Sequence, residues 1–539
     1  MKTENAMRVM IKTGFCLAVF FVRLWATEPL PADSPEYYFR FKLSDRAELA
    51  KLTRVISIDN VRDQIVYAYA NRSEFAEFEK LGYACEVLPH PGTLYHPVMA
   101  KSVSEVQDWD RYPTYEAYVA IMNQFAQDFP ALCRMEPIGF TVQGRELLAV
   151  KLSDNVANNE AEPEVFYTAT MHGDETAGWM LMLRLIDSLL SGYAESPRIR
   201  NLLDNAEIWI NPLANPDGTY RNGNSTVFGA TRYNANGADL NRNFPDPEKG
   251  AHPDGRVWQA ETMAMMDFAT QHHLVLSANF HGGAEVVNYP WDTWARPHPD
   301  DQWFQTIARR YADIVHLNSA PGYMDDLNNG ITNGYAWYEV KGCRQDWMVF
   351  ERGSRETTIE LSAVKLIPET QINLYWQYNR DALLGYLENV FSGIHGTVMD
   401  NLGRPLPAKI TLVGHDTEMD RSWISTDTTN GDFYRFCAPG NYTVVAQVGN
   451  LPALLYENVT VADNLRTTLE VRFSQLALGD VNNDGQLDVR DAVVLTAFSS
   501  QKLVPDPQQK INADWNFDGE IDYQDVRNLI EYILGNTRK

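Results

Sequence analysis

An apolar strand, Glu164-Val165-Phe166-Tyr167-Thr168-Ala169-Thr170, runs through His172-Gly173-Asp174-Glu175 into a helical pattern spanning Gly178 to Ile186. A strand apolar on both sides must be covered on both faces, so this junction points to an α/β sheet with helices packed on it. His172 and Glu175, three residues apart at the mouth of such a sheet, can both reach one metal ion. Zinc in hydrolytic sites is commonly held by two His and one Glu, with a position left open for water. The same spacing arises in many unrelated chains, and the rest of the sequence has to decide what it means here.

At 539 residues the chain is too long for one core. Its 45% hydrophobic and 12% aromatic content belongs to folded modules and not to disorder. A formal net charge of −25 argues against nucleic acid or an anionic membrane as partner. Lys2, Arg8 and Lys12 precede an apolar run from Gly14 to Val22, and Leu24-Trp25-Ala26 offers a small residue for cleavage. Residues 1–26 therefore read as an export signal, too short to span a bilayer. The expected protein is secreted, from a bacterium, with no membrane span. Cys85, Cys133, Cys343 and Cys437 remain, scattered over separate modules with no CxxC metal spacing.

Texture divides the rest. Residues 35–92 read as a small α+β module. Tyr37 to Leu43 alternates as a strand, Asp45 to Arg54 reads as a helix, Val55 to Ala70 as two strands around Asn60, and Ser73 to Leu81 as a second helix. Residues 106–392 alternate apolar strands and helices, which predicts a mixed twisted sheet flanked by helices. Short strands and turns over 393–475 predict an all-β sandwich, and 478–537 is an acidic tail with two predicted helices, Ala492 to Phe498 and Val526 to Leu534.

Within the α/β segment the His-Gly-Asp-Glu run has company. Leu274 to Gly283 is a second apolar strand ending in His281 and a Gly turn, and Thr357-Thr358-Ile359-Glu360-Leu361 places one carboxylate in an apolar setting. Asn215-Pro216-Asp217-Gly218 and Asp239-Leu240-Asn241-Arg242-Asn243-Phe244-Pro245 are turn-rich, with Arg232 and Arg242 nearby. His272 and His273 read as surface residues. Taken singly, His281 could be a core histidine, Glu360 the partner of an Arg, and the two Arg ordinary surface charges.

Together and in this order, these residues resemble the zinc carboxypeptidase (metallocarboxypeptidase) family, most closely its N/E branch, over roughly residues 112–386. In that branch the catalytic domain is followed by a transthyretin-like β-module, which the 393–475 segment resembles. The resemblance implies one zinc held by His172, Glu175 and His281, supplying Lewis-acid activation of water and of the scissile carbonyl. It implies Glu360 as general base then acid, and Arg232 beside the developing oxyanion. Asn241 and Arg242 would clamp the free C-terminal carboxylate of the substrate, and Tyr338 would close over it. Asp292 and Gln345 match positions that in the N/E branch read a basic side chain, which implies removal of C-terminal Arg or Lys from peptides. Asp292 also suits a plain turn residue. Some family members are made as zymogens, so residues 35–92 are propeptide-like.

The tail repeats one loop. Asp480, Asn482, Asp484, Gln486, Asp488 and Asp491 recur as Asp514, Asn516, Asp518, Glu520, Asp522 and Asp525, with Gly485 and Gly519 at the sixth positions. Oxygen donors at this spacing, each loop followed by a helix, predict two structural calcium ions. The arrangement resembles the dockerin module of bacterial multienzyme complexes, whose partner is a cohesin domain; a stand-alone calcium-stabilised cap is the other reading. Two alternatives stand beside the carboxypeptidase: a peptidoglycan stem-peptide hydrolase, and an inactive family member serving as scaffold or binding protein.

Overall fold

The computed structural model describes residues 35–106 and 108–535. The expected export signal and the last two residues of the expected 478–537 module lie outside them. Strands β1 (Glu36–Lys42), β2 (Ser57–Arg62), β3 (Ile65–Asn71) and β4 (Cys85–Leu88) form an antiparallel sheet in the order β2-β3-β1-β4. Period-two alternation turns Phe39 and Phe41 onto the helix Arg72–Lys80, where the Phe39 ring lies 5.0 Å from Phe75 and 4.8 Å from Phe78 between centroids. Asn71 and Glu74 close that helix with a reciprocal capping box.

Two sequence expectations shift here. The hairpin turns at Asp63 and Gln64, both with left-handed φ (+48° and +65°), and not at Asn60, which sits at a register shift inside β2. Two left-handed residues match the twist of the flanking strands, whereas one Asn supplies half of that turn. The helix expected over 45–54 shortens to a 3₁₀ turn (Arg46–Glu48) and one α-turn (Leu49–Leu52).

After the short pair β5 (Met99–Ala100) and β6 (Tyr112–Pro113) comes an eight-stranded sheet. Its strands are β7 (Cys133–Phe140), β8 (Glu146–Leu152), β9 (Glu164–Ala169), β10 (Glu207–Asn211), β11 (Leu274–His281), β12 (Glu285–Tyr289), β13 (Ile331–Asn333) and β14 (Arg355–Leu361). The order is β13-β12-β14-β11-β9-β10-β8-β7. The middle four run parallel, and antiparallel pairings at β12–β14 and β10–β8 frame them. Both faces are covered. Val165, Tyr167 and Ala169 of β9 join the cluster under helices Ala177–Gly192, Asp301–Asn318 and Glu369–Leu387, while Phe166 packs with Trp209 and Phe268 on the other face, under helix Ala260–Gln271. The parallel strands therefore end together at one edge, and register places His281 opposite Glu360.

Seven strands follow: β15 (Gly393–Asp400), β16 (Lys409–Leu412), β17 (Ile424–Ser425), β18 (Asp432–Arg435), β19 (Gly440–Gln447), β20 (Leu454–Val461) and β21 (Arg466–Phe473). They form sheets β18-β15-β21 and β17-β16-β19-β20. The tail folds as helices Val489–Ser499, Pro507–Ala513 and Tyr523–Ile533. The middle one is additional to the two helices expected; its seven residues are too short to show a clear periodicity. Leu495, Trp515 and Leu529 of the tail share one apolar cluster with Val398, Ile410 and Val444 of the sandwich, so the two are packed together.

Candidate active site

β9 ends at Ala169, and the chain then turns sharply. Thr170 holds φ +60°, an uncommon conformation for a β-branched residue, fixed by its hydroxyl donating to the carbonyl of Glu175 at 2.9 Å. The turn presses on the Asn215-Pro216-Asp217-Gly218 loop: a Cβ on Gly173 would lie 2.4 Å from the backbone of Gly218 and Thr219, so no larger residue fits. Buried Asp217 steadies that loop from below, accepting from Thr141, the Gln143 amide and Arg145.

The turn delivers His172 and Glu175 to the end of β11. His172 Nδ1 lies 2.8 Å from Glu175 Oε1, His281 Nδ1 2.8 Å from Glu175 Oε2, and the two Nδ1 atoms 3.1 Å apart. One ligand atom from each of the three residues falls within 4.8 Å of the others, and all three residues are buried. His172 Nε2 meets Asp239 Oδ1 at 3.0 Å, and the Asn279 amide meets His281 Nε2 at 2.8 Å. Outer partners of this kind orient metal-binding imidazoles. Burial holds the His281 imidazole neutral, its pKa pushed down to about 4, and a neutral ring is what a metal ligand requires. Burial opposes ionisation of Glu175, but His172, Lys365 and His281 outweigh it and keep the carboxylate charged. Two imidazoles and one carboxylate converging in this way fit zinc.

Glu360 stands beside them with Oε2 buried and unbonded among the described residues; burial, then the charge of Glu175, push its pKa well up. Arg232 is 3% exposed and reaches Glu175 Oε1 at 3.2 Å and Asp239 Oδ2 at 3.1 Å. Asn241, Arg242, Tyr338 and Asp292 line the same cavity, of about 30 Å³. Asp292 accepts from Asn288 Nδ2 at 2.9 Å, and burial raises the pKa of its carboxyl. A Cβ on Gly334 would land 1.6 Å from Asp292 Oδ1, so glycine there keeps that carboxylate's side of the cavity open. Gln345 lies one layer back: its amide oxygen accepts from the Thr358 N–H at 2.7 Å, and its Nε2 is buried without a partner among the described residues.

Four residues of the cleft carried no signal in the sequence. Lys365, five residues beyond Glu360, is buried with Nζ 2.6 Å from Glu175 Oε1 and 2.5 Å from the Gly282 carbonyl. Its other partner is Asp59, on β2 of the N-terminal module. Ser57 on the same strand bonds Asp239 and accepts from Arg232 Nε at 2.8 Å. Between them, the Ile58 carbonyl accepts from Arg242 Nη2 at 3.4 Å and from the Tyr338 hydroxyl at 3.3 Å. Their signal is spatial: the partners they meet across the cleft lie 83 or more residues away in sequence.

A match to the zinc carboxypeptidase family covers residues 118–382. Carboxypeptidase M of Mus musculus is 36% identical over 359 residues, covering 62% of this chain and 77% of that protein. The carboxypeptidase N catalytic chain of Homo sapiens is 35% identical over 388 residues, covering 65% and 82%. The chain belongs to the zinc carboxypeptidase family. Carboxypeptidase D of Mus musculus is 33% identical over 431 residues, 74% of this chain but 30% of that longer protein. The relatives place this enzyme, a metallocarboxypeptidase and hydrolase, in the N/E-like branch. The crystal structure of carboxypeptidase A from Helicoverpa armigera matches with TM-score 0.51 at 16% identity, over 66% of this chain and 98% of that one, which shows the shared fold.

A dockerin type I domain covers residues 478–534 of the carboxypeptidase. Its two loops share the same backbone-to-carboxylate bonds at their first and last positions. Asp480 accepts from the Asp484 and Gly485 amides, and Asp514 from those of Asp518 and Gly519. Asp491 and Asp525 accept from the Asn482 and Asn516 amides. Asp488 and Asp522 also cap the helices that follow. All-oxygen loops of this shape suit a hard cation such as calcium. No helix among the described residues is long and apolar enough to cross a membrane.

Proposed function

We propose that this secreted metallocarboxypeptidase removes C-terminal Arg or Lys from peptides. The observation that carries the reading is Asp292: a buried carboxylate on the cavity wall that accepts from the Asn288 amide but has no ion-pair partner among the described residues. A basic side chain would compensate that charge, whereas an apolar one would leave it buried and unpaired. Hydrolysis of peptides ending in Arg, Lys, Phe and Leu, with a muropeptide arm, tests it. Preference for Phe or for the muropeptide would overturn it. Retention of Glu360 with His172, Glu175 and His281 favours an enzyme over an inactive scaffold.

In this reading His172, Glu175 and His281 hold zinc, which supplies Lewis-acid activation of water and carbonyl. Arg242 and Asn241 take the terminal carboxylate; a planar guanidinium matches it with two parallel bonds. Tyr338 covers the bound residue. Glu360 accepts the water's proton at its unbonded oxygen and delivers it to the leaving amine nitrogen. Arg232 donates N–H to the oxyanion as it forms.

The N-terminal module is, on this reading, a cover. The Ile58 carbonyl engages Arg242 where a substrate carboxylate would, and Asp59 holds Lys365 at the metal-binding carboxylate. The loops at 480–491 and 514–525 are read as two calcium sites, the 393–475 sandwich as the transthyretin-like module of the branch, and the dockerin as the attachment to a cohesin.

A further inference from the structure

We propose that His273, Asp427 and Asp432 form a second transition-metal site, at the seam between the catalytic sheet and the β-sandwich. It is separate from the zinc centre and from the calcium loops. His273 precedes β11 at the end opposite His281, and the two carboxylates come from the sandwich. One ligand atom from each residue lies within 4.8 Å of the others.

Each donor is prepared in a different way. His273 Nε2 lies 3.0 Å from the Ser425 carbonyl; with the proton on that nitrogen, Nδ1 presents its lone pair. Metal-binding imidazoles commonly donate their second N–H to a backbone carbonyl. Asp427 and Asp432 are brought face to face by a tight turn, with Asp427 N–H donating to the Asp432 carbonyl at 2.8 Å and Gly431 N–H to the Asp427 carbonyl at 2.8 Å. Asp427 spends Oδ1 on the Thr429 and Asn430 amides within its own turn. Asp432 is 4% exposed, and its Oδ2 accepts from the Tyr434 hydroxyl at 2.7 Å. Its Oδ1 is buried with no hydrogen-bond partner among the described residues.

No ion pair among the described residues uses either carboxylate. The two arginines lining the adjoining groove are committed elsewhere: Arg352 to the Ala269 carbonyl and Arg421 to Glu351. Two facing carboxylates, one of them buried with an empty oxygen, are costly without a cation. One nitrogen and two oxygens select a first-row divalent cation such as Zn²⁺ over calcium, which takes oxygen alone. A groove of about 990 Å³ opens onto His273 and Asp427 and gives solvent and metal a route in. The same hairpin touches the catalytic domain again through Asn430, bonded to Asn159 and the Glu160 carbonyl. A bound cation would thus tie the sandwich to the catalytic sheet.

The test is metal stoichiometry on the full chain in saturating calcium, with Zn²⁺ as the probe. Wild type should hold one more zinc than His273→Gln or Asp432→Asn, and His172→Ala should keep this zinc while losing the catalytic one. In the His172→Ala background, zinc should raise the melting temperature, and adding Asp432→Asn should weaken the apparent affinity at least about tenfold. Peptide hydrolysis by His273→Gln should equal wild type, since the residue lies at the far end of its strand from the cleft. Equal zinc counts in wild type and His273→Gln would overturn the proposal. So would Asp432→Asn melting higher than wild type with or without zinc, which would mark a proton-sharing carboxyl pair.

Discussion

To the N-terminal module the catalytic domain offers the cleft itself: Arg232, Asp239, Arg242, Tyr338 and Lys365 all bond to residues 57–59. To the sandwich it offers groups that no substrate meets. Asp300, fully buried, takes two bonds from Arg355 at 3.0 and 2.8 Å, one from Arg435 at 2.9 Å, and lies 2.7 Å from His415 Nε2. Trp303 stacks on Phe436 beside it, centroids 5.5 Å apart. Both contacts are polar and buried, yet on the proposed function only the first competes with substrate. On that proposal the N-terminal module can be displaced by whatever the cleft residues prefer; the contact made by Asp300 has no such competitor.

The largest effect should therefore fall on the sandwich side. Asp300→Asn leaves the buried Arg355 guanidinium without its carboxylate and Arg435 with Asp416 alone, and should cost about 3–5 kcal/mol in denaturant unfolding. The arginines hold the Asp300 carboxyl well below the usual range against the opposing effect of burial. Its contribution is then full above the unfolded value of about 3.9 and is lost as pH falls further. Acid titration of stability below about pH 4 should be steeper in wild type than in the variant; equal slopes would assign acid sensitivity elsewhere.

Next comes the cover. Leu94 and Val98 are 66% and 52% exposed in the stretch joining module to sheet, which invites a protease. Clipping there and separating the fragment should raise kcat/KM on a basic-ended peptide by about 100-fold or more, equivalent to about 2.7 kcal/mol. No change would mean that β2 leaves the cleft unaided. On the freed enzyme, Asp292→Asn should cut the preference for Arg over Leu by about 10–100-fold, with the loss chiefly against Arg. Loss of both activities together would make Asp292 a structural residue.

Legibility followed distance along the chain. The His172–Glu175 turn could be read because both residues belong to one strand–helix junction, β11 because its apolar strand ends in His281, and β14 because Glu360 sits between Ile359 and Leu361. Register then set His281 against Glu360, something two isolated strands cannot announce. Lys365 and Asp59 carry no motif of their own; each becomes informative only against the other. His272 and His273 read as surface, but His272 is drawn in by Glu164, 2.8 Å away and 108 residues earlier. Likewise the tail read as a free acidic module, because nothing in a calcium loop says that Trp515 will be buried in a cluster with sandwich residues.

The smallest effect separates rim from core on the N-terminal side. Arg62 pairs with Asp326 at 2.9 Å across the same interface, but their side chains are 51% and 35% exposed. A double-mutant cycle should give about 0.2–1 kcal/mol, vanishing in high salt. Asp59 and Lys365 are 4% and 5% exposed, beyond easy reach of screening ions, so Asp59→Asn should loosen the cover by an amount that salt leaves nearly unchanged. If salt alone released the module to the extent that Asp59→Asn does, the rim would be carrying the contact. The cover would then open by ionic strength, and the likeness between the two buried interfaces would be superficial.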